Sequence, residues 1–226
     1  MSPPPLHRAR PRVIWDGSGR WKWKIRRRRA PCRMPVRFTD PPGPEDLVNR
    51  DPLALLIAML LDQQVPITWA FAGPARLAER LDGGLSAEVI AEMDPGDFVA
   101  LAAAKPAMHR YPKAMAIRIQ ALCRTIVDDY GGDAGRVWHD IPDAREVRER
   151  LESLPGFGTE KAQITVAVLA KRFDLALVDL PAGAGPFADD QPRSVADIDG
   201  PASLALVKEW KKAQRAAGRS KADPTV

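Results

Sequence analysis

Leu154-Pro155-Gly156-Phe157-Gly158-Thr159-Glu160-Lys161-Ala162 is the stretch that decides how this chain folds. Helical patterns flank it on both sides. Upstream, 143–153 carries Val147 and Leu151, and Leu154 continues the row at steps of four and three. Downstream, Ala162, Val166, Leu169 and Phe173 repeat at four, three and four. So short a connection leaves room only for a tight hairpin between neighbouring helices. Pro155 fixes one φ angle, and Gly156 and Gly158 both permit φ > 0. Gly158 or Thr159 is positioned to cap the second helix.

Bare glycines ahead of a helix N-terminus present several backbone N–H groups to one point outside. The helix dipole adds partial positive charge there, which suits a phosphate oxygen. Lys161, one turn in, is placed to add a full charge. The plain alternative is an ordinary turn between two helices.

The string Leu-Pro-Gly-Phe-Gly at 154–158, with the small residue Ala162 after it, resembles the helix-hairpin-helix motif of the HhH-GPD superfamily of DNA glycosylases. That resemblance implies an all-α fold of two helical subdomains with a DNA cleft between them. It also implies that Pro155, Gly156, Phe157, Gly158 and Thr159 form the hairpin that grips a DNA phosphate through its amides. In the family, main-chain carbonyls at the positions of Glu152, Leu154 and Phe157 often hold a monovalent cation, K+ or Na+.

Composition bounds the rest. The 226 residues are 45% apolar, enough for a sizeable core, and helix signals dominate. No alternating strand stands out. No apolar run approaches bilayer length and no signal-peptide core is visible, so a soluble, cytoplasmic, nucleoid-associated protein without a membrane partner is expected. Cys32 and Cys123 are the two cysteines, too few for a four-cysteine zinc or iron–sulfur site made by this chain alone. Cys123 falls in an apolar helix pattern and should be buried. His7, His109 and His139 lack ligand spacing, so no histidine metal site is expected. The net charge of +5 is split. Residues 1–33 hold 11 Lys and Arg against Asp16, giving +10, and the rest hold 23 basic against 28 acidic residues, giving −5.

Residues 1–33 are rich in Pro and Arg, with Trp15, Trp21 and Trp23 interleaved, and no helical or strand period is sustained. Two readings stand: a disordered basic arm adding phosphate contacts and stacking aromatics, or a gene-start artefact upstream of a true start at Met34. A helical domain is expected over 34–216 and a frayed tail over 217–226.

Within the domain, Asp51-Pro52 is a helix-start pair, and 53–61 is almost wholly apolar, so this helix belongs at the centre. Pro66 stops it near Gln64. Gln63 and Gln64 emerge at its end, as a polar helix end or as working residues. HhH-GPD proteins carry a Leu-x-x-Gln or Gln-Gln element there, and by resemblance Gln64 fills the gap left by a flipped nucleotide while Gln63 assists or faces the pocket. Helices are expected from 67 to 81, kinked by Gly73-Pro74, then from Ser86, from Asp94-Pro95, and over a long stretch after Pro112 closed by Gly131-Gly132. The start Tyr111-Pro112-Lys113-Ala114 also resembles the family, which makes Lys113 a phosphate contact or else a solvated lysine. Trp138 reads as a core anchor. Residues 182–193 read as loop. Gly200-Pro201 starts a last helix whose end carries Lys208, Lys211, Lys212 and Arg215, a basic face suited to DNA or to solubility.

A glycosylase flips a base out of the stack and cleaves a bond through an oxocarbenium-like transition state, which a carboxylate near the sugar stabilises or serves by activating water. HhH-GPD enzymes use an Asp after the hairpin's second helix. Asp179, 19 residues after Glu160, matches it, although Leu180-Pro181 follows where the family has Asp-Thr-His; a helix cap is the alternative, and Asp174 and Asp62 are further acids in reach. Members that also nick DNA carry a Lys nucleophile where this chain has Glu160. Lys161 points about 100° away around the helix and reads as a phosphate contact. The expectation is a monomeric, monofunctional DNA glycosylase acting on double-stranded DNA, without cofactor or iron–sulfur cluster. Its rivals are a non-catalytic DNA-binding module and a helical scaffold whose hairpin is only a turn.

Overall fold

The computed structural model describes residues 35–82 and 84–223, together with the backbone of 13–15 and 21–23. The chain divides into two compact units, Met1–Pro31 and Cys32–Val226.

In the first unit, strand β1 (Val13–Trp15) pairs antiparallel with β2 (Trp21–Trp23), Val13 opposite Trp23 and Trp15 opposite Trp21. This corrects the expectation of no strand period there. Val, Ile and Trp favour strands, and runs of three residues are too short to sustain a period. The rest of the expected basic arm lies outside the described residues.

The second unit is all-α. Among the described residues its elements are α1 (Pro52–Leu61), α2 (Ile67–Ala78), α3 (Ala87–Glu92), α4 (Pro95–Ala103), α5 (Pro112–Tyr130), α6 (Ala144–Glu152), α7 (Thr159–Arg172), α8 (Leu180–Ala184) and α9 (Pro201–Ala216). Short 3-10 helices lie at Pro44–Asn49, Ala134–Val137, Gly185–Ala188 and Val195–Asp197.

Helix α1 sits in the middle because nothing on its surface asks for water. Every residue from Leu53 to Leu61 is buried, and each fully buried Leu, Ile or Met contributes about 1.5–3 kcal/mol. Asp51 starts it by accepting the N–H groups of Leu53 and Ala54. α2 and the 44–49 turn pack on one side, where Phe38 meets Phe71 edge-on at 5.5 Å. α5 touches α1 and carries α3 and α4, tied by the buried Gln120, whose Nε2 donates to the carbonyls of Ile90 and Met93. α6, α7 and α8 form a second group, to which α9 is joined through the 195–197 turn. Trp138 and Cys123 are buried as expected, and burial pushes the Cys123 thiol up to about 12.

Two expectations are corrected. Residues 182–193 are not simply loop, since Leu180–Ala184 is helical and Gly185–Ala188 is 3-10. Gly183 permits this: a Cβ there would overlap the Ala144 carbonyl, so only glycine lets α8 lie against α6. The segment 217–223 is held rather than frayed. The buried Arg193 donates from Nη1 to the carbonyls of Lys221 (3.1 Å) and Asp223 (2.6 Å), and Lys221 pairs with Glu160 at 2.9 Å.

Candidate nucleic-acid interface

The hairpin forms as the sequence dictates, but its two glycines do different things. Phe157 N–H donates to the Leu154 carbonyl at 3.1 Å and closes the turn, with Leu154 and Phe157 buried beneath it. Gly156 is in the left-handed region at φ 83°, and a Cβ on it would overlap Leu60 Cδ1 of α1. It is glycine for both conformational and packing reasons. Gly158 is not: its backbone is extended (φ −95°, ψ 172°), it is exposed, and a Cβ on it would meet nothing within 4 Å. Of the two glycines that permit φ > 0, Gly156 alone uses that freedom. Gly158 is the N-cap of α7, and no side chain caps the helix. Thr159 is its first residue and exposed, and the N–H groups of Thr159, Glu160 and Lys161 have no hydrogen-bond partner among the described residues.

Gly156 brings the hairpin onto the end of α1, where the glutamine turn begins. The Leu60 carbonyl accepts from Lys161 Nζ at 3.1 Å and from Gln63 Nε2 at 2.6 Å. Lys161 therefore turns inward to α1, with its ammonium 5.7 Å from the Phe157 ring centre, and does not project from the hairpin as expected. Burial pushes this ammonium down to about 8; Asp62 opposes that, while Arg118 and Lys221 reinforce it. Asp62 thus faces Lys161, as one of the acids at this joint.

Gln63 is held from three sides. Its Oε1 accepts from Arg118 Nη1 of α5 at 2.9 Å, and its main-chain carbonyl lies 3.0 Å from His109 Nε2. His109 is 1% exposed, and its Nδ1 accepts the Tyr111 N–H at 3.0 Å. Nδ1 being an acceptor, Nε2 carries the hydrogen and donates to Gln63. This clamp fixes the residue before Gln64, which is exposed and left-handed at φ 56°. A glutamine in that region is uncommon and is held there by its surroundings. Tyr111, 44% exposed, flanks the clamp with Arg110 stacked on its ring at 5.4 Å. Lys113 is exposed in the first turn of α5, without a bonded partner among the described residues.

Asp179 lies elsewhere on the same group of helices. Val178 makes a parallel bridge to Asp143, its N–H donating to the Pro142 carbonyl at 2.7 Å and its carbonyl accepting from Ala144 N–H at 3.1 Å. The chain then turns at Asp179, left-handed at φ 52°, into α8. Asp179 occupies the N-cap position, yet its exposed carboxylate caps nothing and accepts no hydrogen bond among the described residues. No hydrogen bond or ion pair among those residues joins it to the hairpin or to Gln63 and Gln64. Asp174 is likewise exposed and left-handed.

The structure thus brings Gln63, Gly156, Phe157 and Lys161 to one joint around the Leu60 carbonyl, and among the described residues no hydrogen bond or ion pair links Lys113 or Asp179 to it. His109, Arg118 and the Lys221–Glu160 pair complete that joint, and the sequence holds no local sign of them: their partners lie 46, 55 and 61 positions away. No protein-family model matches this chain, and no curated protein matches it either.

Proposed function

We propose that this chain binds double-stranded DNA through its hairpin and acts, as a monomer, as a monofunctional DNA glycosylase of the HhH-GPD kind. The observation that carries the reading is Gly158. Neither backbone conformation nor packing requires glycine there, and the amides that follow are uncapped and without partners among the described residues. A residue kept bare on an open face is what close approach by an external group, such as a phosphate oxygen, calls for. Phosphate contacts fix register and carry no base information, so recognition of a damaged base falls to the other elements.

In this reading the two helical groups flank the DNA cleft. Gln64, presented by the His109 clamp, enters the stack in place of the flipped nucleotide. Asp179 stabilises the oxocarbenium-like transition state or activates water, in a backbone conformation typical of strained functional positions. Glu160 stands where strand-nicking members have lysine, so no Schiff base forms there. The main-chain carbonyls of Glu152, Leu154 and Phe157 are an oxygen donor set suited to a monovalent cation, and Leu154 keeps a lone pair after accepting Phe157 N–H. A cation held by them would tie the hairpin together.

One observation favours the rival reading of a non-catalytic DNA-binding module: the Asp179 carboxylate is exposed and unconnected to the hairpin joint. A panel of duplexes bearing uracil, alkylated, oxidised and mismatched bases separates the two. Base release that Asp179→Asn abolishes supports the enzyme, and binding without release on every duplex supports the module.

A further inference from the structure

The last turns of α9 and the segment after it enclose a pocket lined by Lys211, Gln214, Arg215, Arg219, Ser220 and Lys221. We propose that this pocket takes a second backbone phosphate of the duplex, beside the one gripped by the hairpin. The proposal rests on the DNA-binding reading above.

The pocket is built, not an accident of a loose end. Arg193, buried to 2% exposure, holds the 217–223 segment by the two carbonyl contacts already described. Its guanidinium is fixed in turn by Asp189, through Nε at 2.9 Å and Nη2 at 2.7 Å, and by the Trp210 ring 5.2 Å away. One wall is therefore the C-terminal end of α9 and the other the clamped turn.

Cations predominate in its lining. Four of them line it, against which Glu160 pairs with Lys221, Asp223 accepts the amide and hydroxyl of Ser220 at 2.7 and 3.0 Å, and Asp62 acts on Lys211. The side chains of Lys211, Arg215 and Arg219 have no hydrogen bond or ion pair among the described residues. Lys211 is half-buried, and its ammonium is pushed down first by burial and then by Lys221 and Arg215, against the pull of Asp62 and Glu160. A desolvated cation facing other cations is an unfavourable arrangement that an anion relieves. Two arginine forks and the Lys211 ammonium around one concavity suit the tetrahedral oxygens of a phosphate.

Location names the occupant. The Lys221–Glu160 pair sets the pocket against the first turn of α7, two residues beyond Gly158. A duplex whose phosphate lies on the hairpin amides passes this spot. Of the basic residues on α9, Lys211 and Arg215 line the pocket while Lys208 and Lys212 do not, so the structure sorts a face that is undivided in the sequence.

The test measures affinity of the full-length chain for an undamaged fluorescent duplex over a range of salt. Lys211→Gln/Arg215→Gln is compared with Lys208→Gln/Lys212→Gln, which removes the same charge outside the pocket. Each lost phosphate contact lowers the slope of log K against log [salt] by about 0.9. The pocket variant should lower the slope by about 1 and weaken binding about tenfold at low salt, equally for all sequences. The control should retain the wild-type slope. An unchanged slope, or equal loss in both variants, overturns the pocket while leaving the hairpin reading intact if Gly158→Ala still weakens binding. A wild-type chain that binds no duplex overturns both. Inorganic phosphate that stabilises the wild type alone at matched ionic strength, with duplex affinity unchanged in the pocket variant, assigns the pocket to a small anion and also overturns the duplex occupant.

Discussion

Alanine at Gly156 should act on folding and alanine at Gly158 on binding, and the pair isolates the hairpin's function from its folding. At Gly156, alanine must adopt φ 83°, which costs about 1–2 kcal/mol for an L-residue. Its Cβ also drives into Leu60 Cδ1 in the packed centre, where overpacking costs about 1–3 kcal/mol. The sum, about 2–5 kcal/mol, lowers Tm by roughly 10 °C at this chain length. At Gly158 the backbone is extended and the space open, so alanine meets no strain, and the about 0.4–1 kcal/mol gained through the unfolded chain is offset by alanine's weaker N-capping. Tm should stay within about 2 °C of the wild type. The added methyl nevertheless stands where a phosphate must approach. Loss of one charge-assisted hydrogen bond, about 1.5–3 kcal/mol, weakens duplex binding about 10- to 100-fold. Thermal denaturation and fluorescence anisotropy on the same two variants read both quantities. A Gly158→Ala protein as destabilised as Gly156→Ala refutes the geometric argument. One that is stable and binds duplex like wild type refutes the phosphate grip.

His109→Ala should leave the Gln63 carbonyl and Tyr111 N–H unpartnered, costing about 2–4 kcal/mol, while His109→Gln, able to accept and donate, should restore part of it. If the clamp presents Gln64, His109→Ala should also reduce affinity for a duplex with a flipped-out or missing base to the level of Gln64→Ala, with binding to undamaged duplex unchanged; equal loss on both duplexes argues against that role. Lys161 has a folded-state pKa near 8, below its unfolded value, so the unfolded chain binds the extra proton between about pH 8 and 10.4 and stability should rise across that window. Allowing for its partial exposure, the wild type should gain about 1–2 kcal/mol there relative to Lys161→Met, measured by urea denaturation; parallel curves for the two proteins would contradict the assigned shift. Asp179→Asn should fold as the wild type does, because its carboxylate holds nothing and asparagine tolerates the left-handed conformation, so any loss of base release reports chemistry rather than unfolding.

Much of the helical order was legible because its signals are local. Asp51, Ser86, Asp94 and Asp143 accept the first amides of the helices they precede, as short polar side chains before an apolar period do. Gly131 ends α5 in a left-handed turn at φ 61°. The 182–193 stretch carries no helical signal in the sequence because α8 is only a turn and a half long. Its existence depends on Gly183 lying against Ala144, a contact between distant positions. The tail is illegible for the same reason: what holds 217–223 is the buried Arg193, about 30 positions upstream.

By itself the sequence determined the helical periods, the wholly apolar α1 that had to be central, and the Pro-Gly-x-Gly hairpin with outward amides. Each follows from residue type and spacing within a few positions. Tertiary structure alone decided which glycine serves the fold and which serves an outside group, because that depends on whether Leu60 or open solvent lies where a Cβ would be. It likewise turned Lys161 inward to the Leu60 carbonyl, recruited His109 to hold the glutamine turn, and gathered four cations from α9 and the tail around one pocket. Those outcomes come from side chains far apart in the chain competing for the same space and the same lone pairs, which no local pattern encodes.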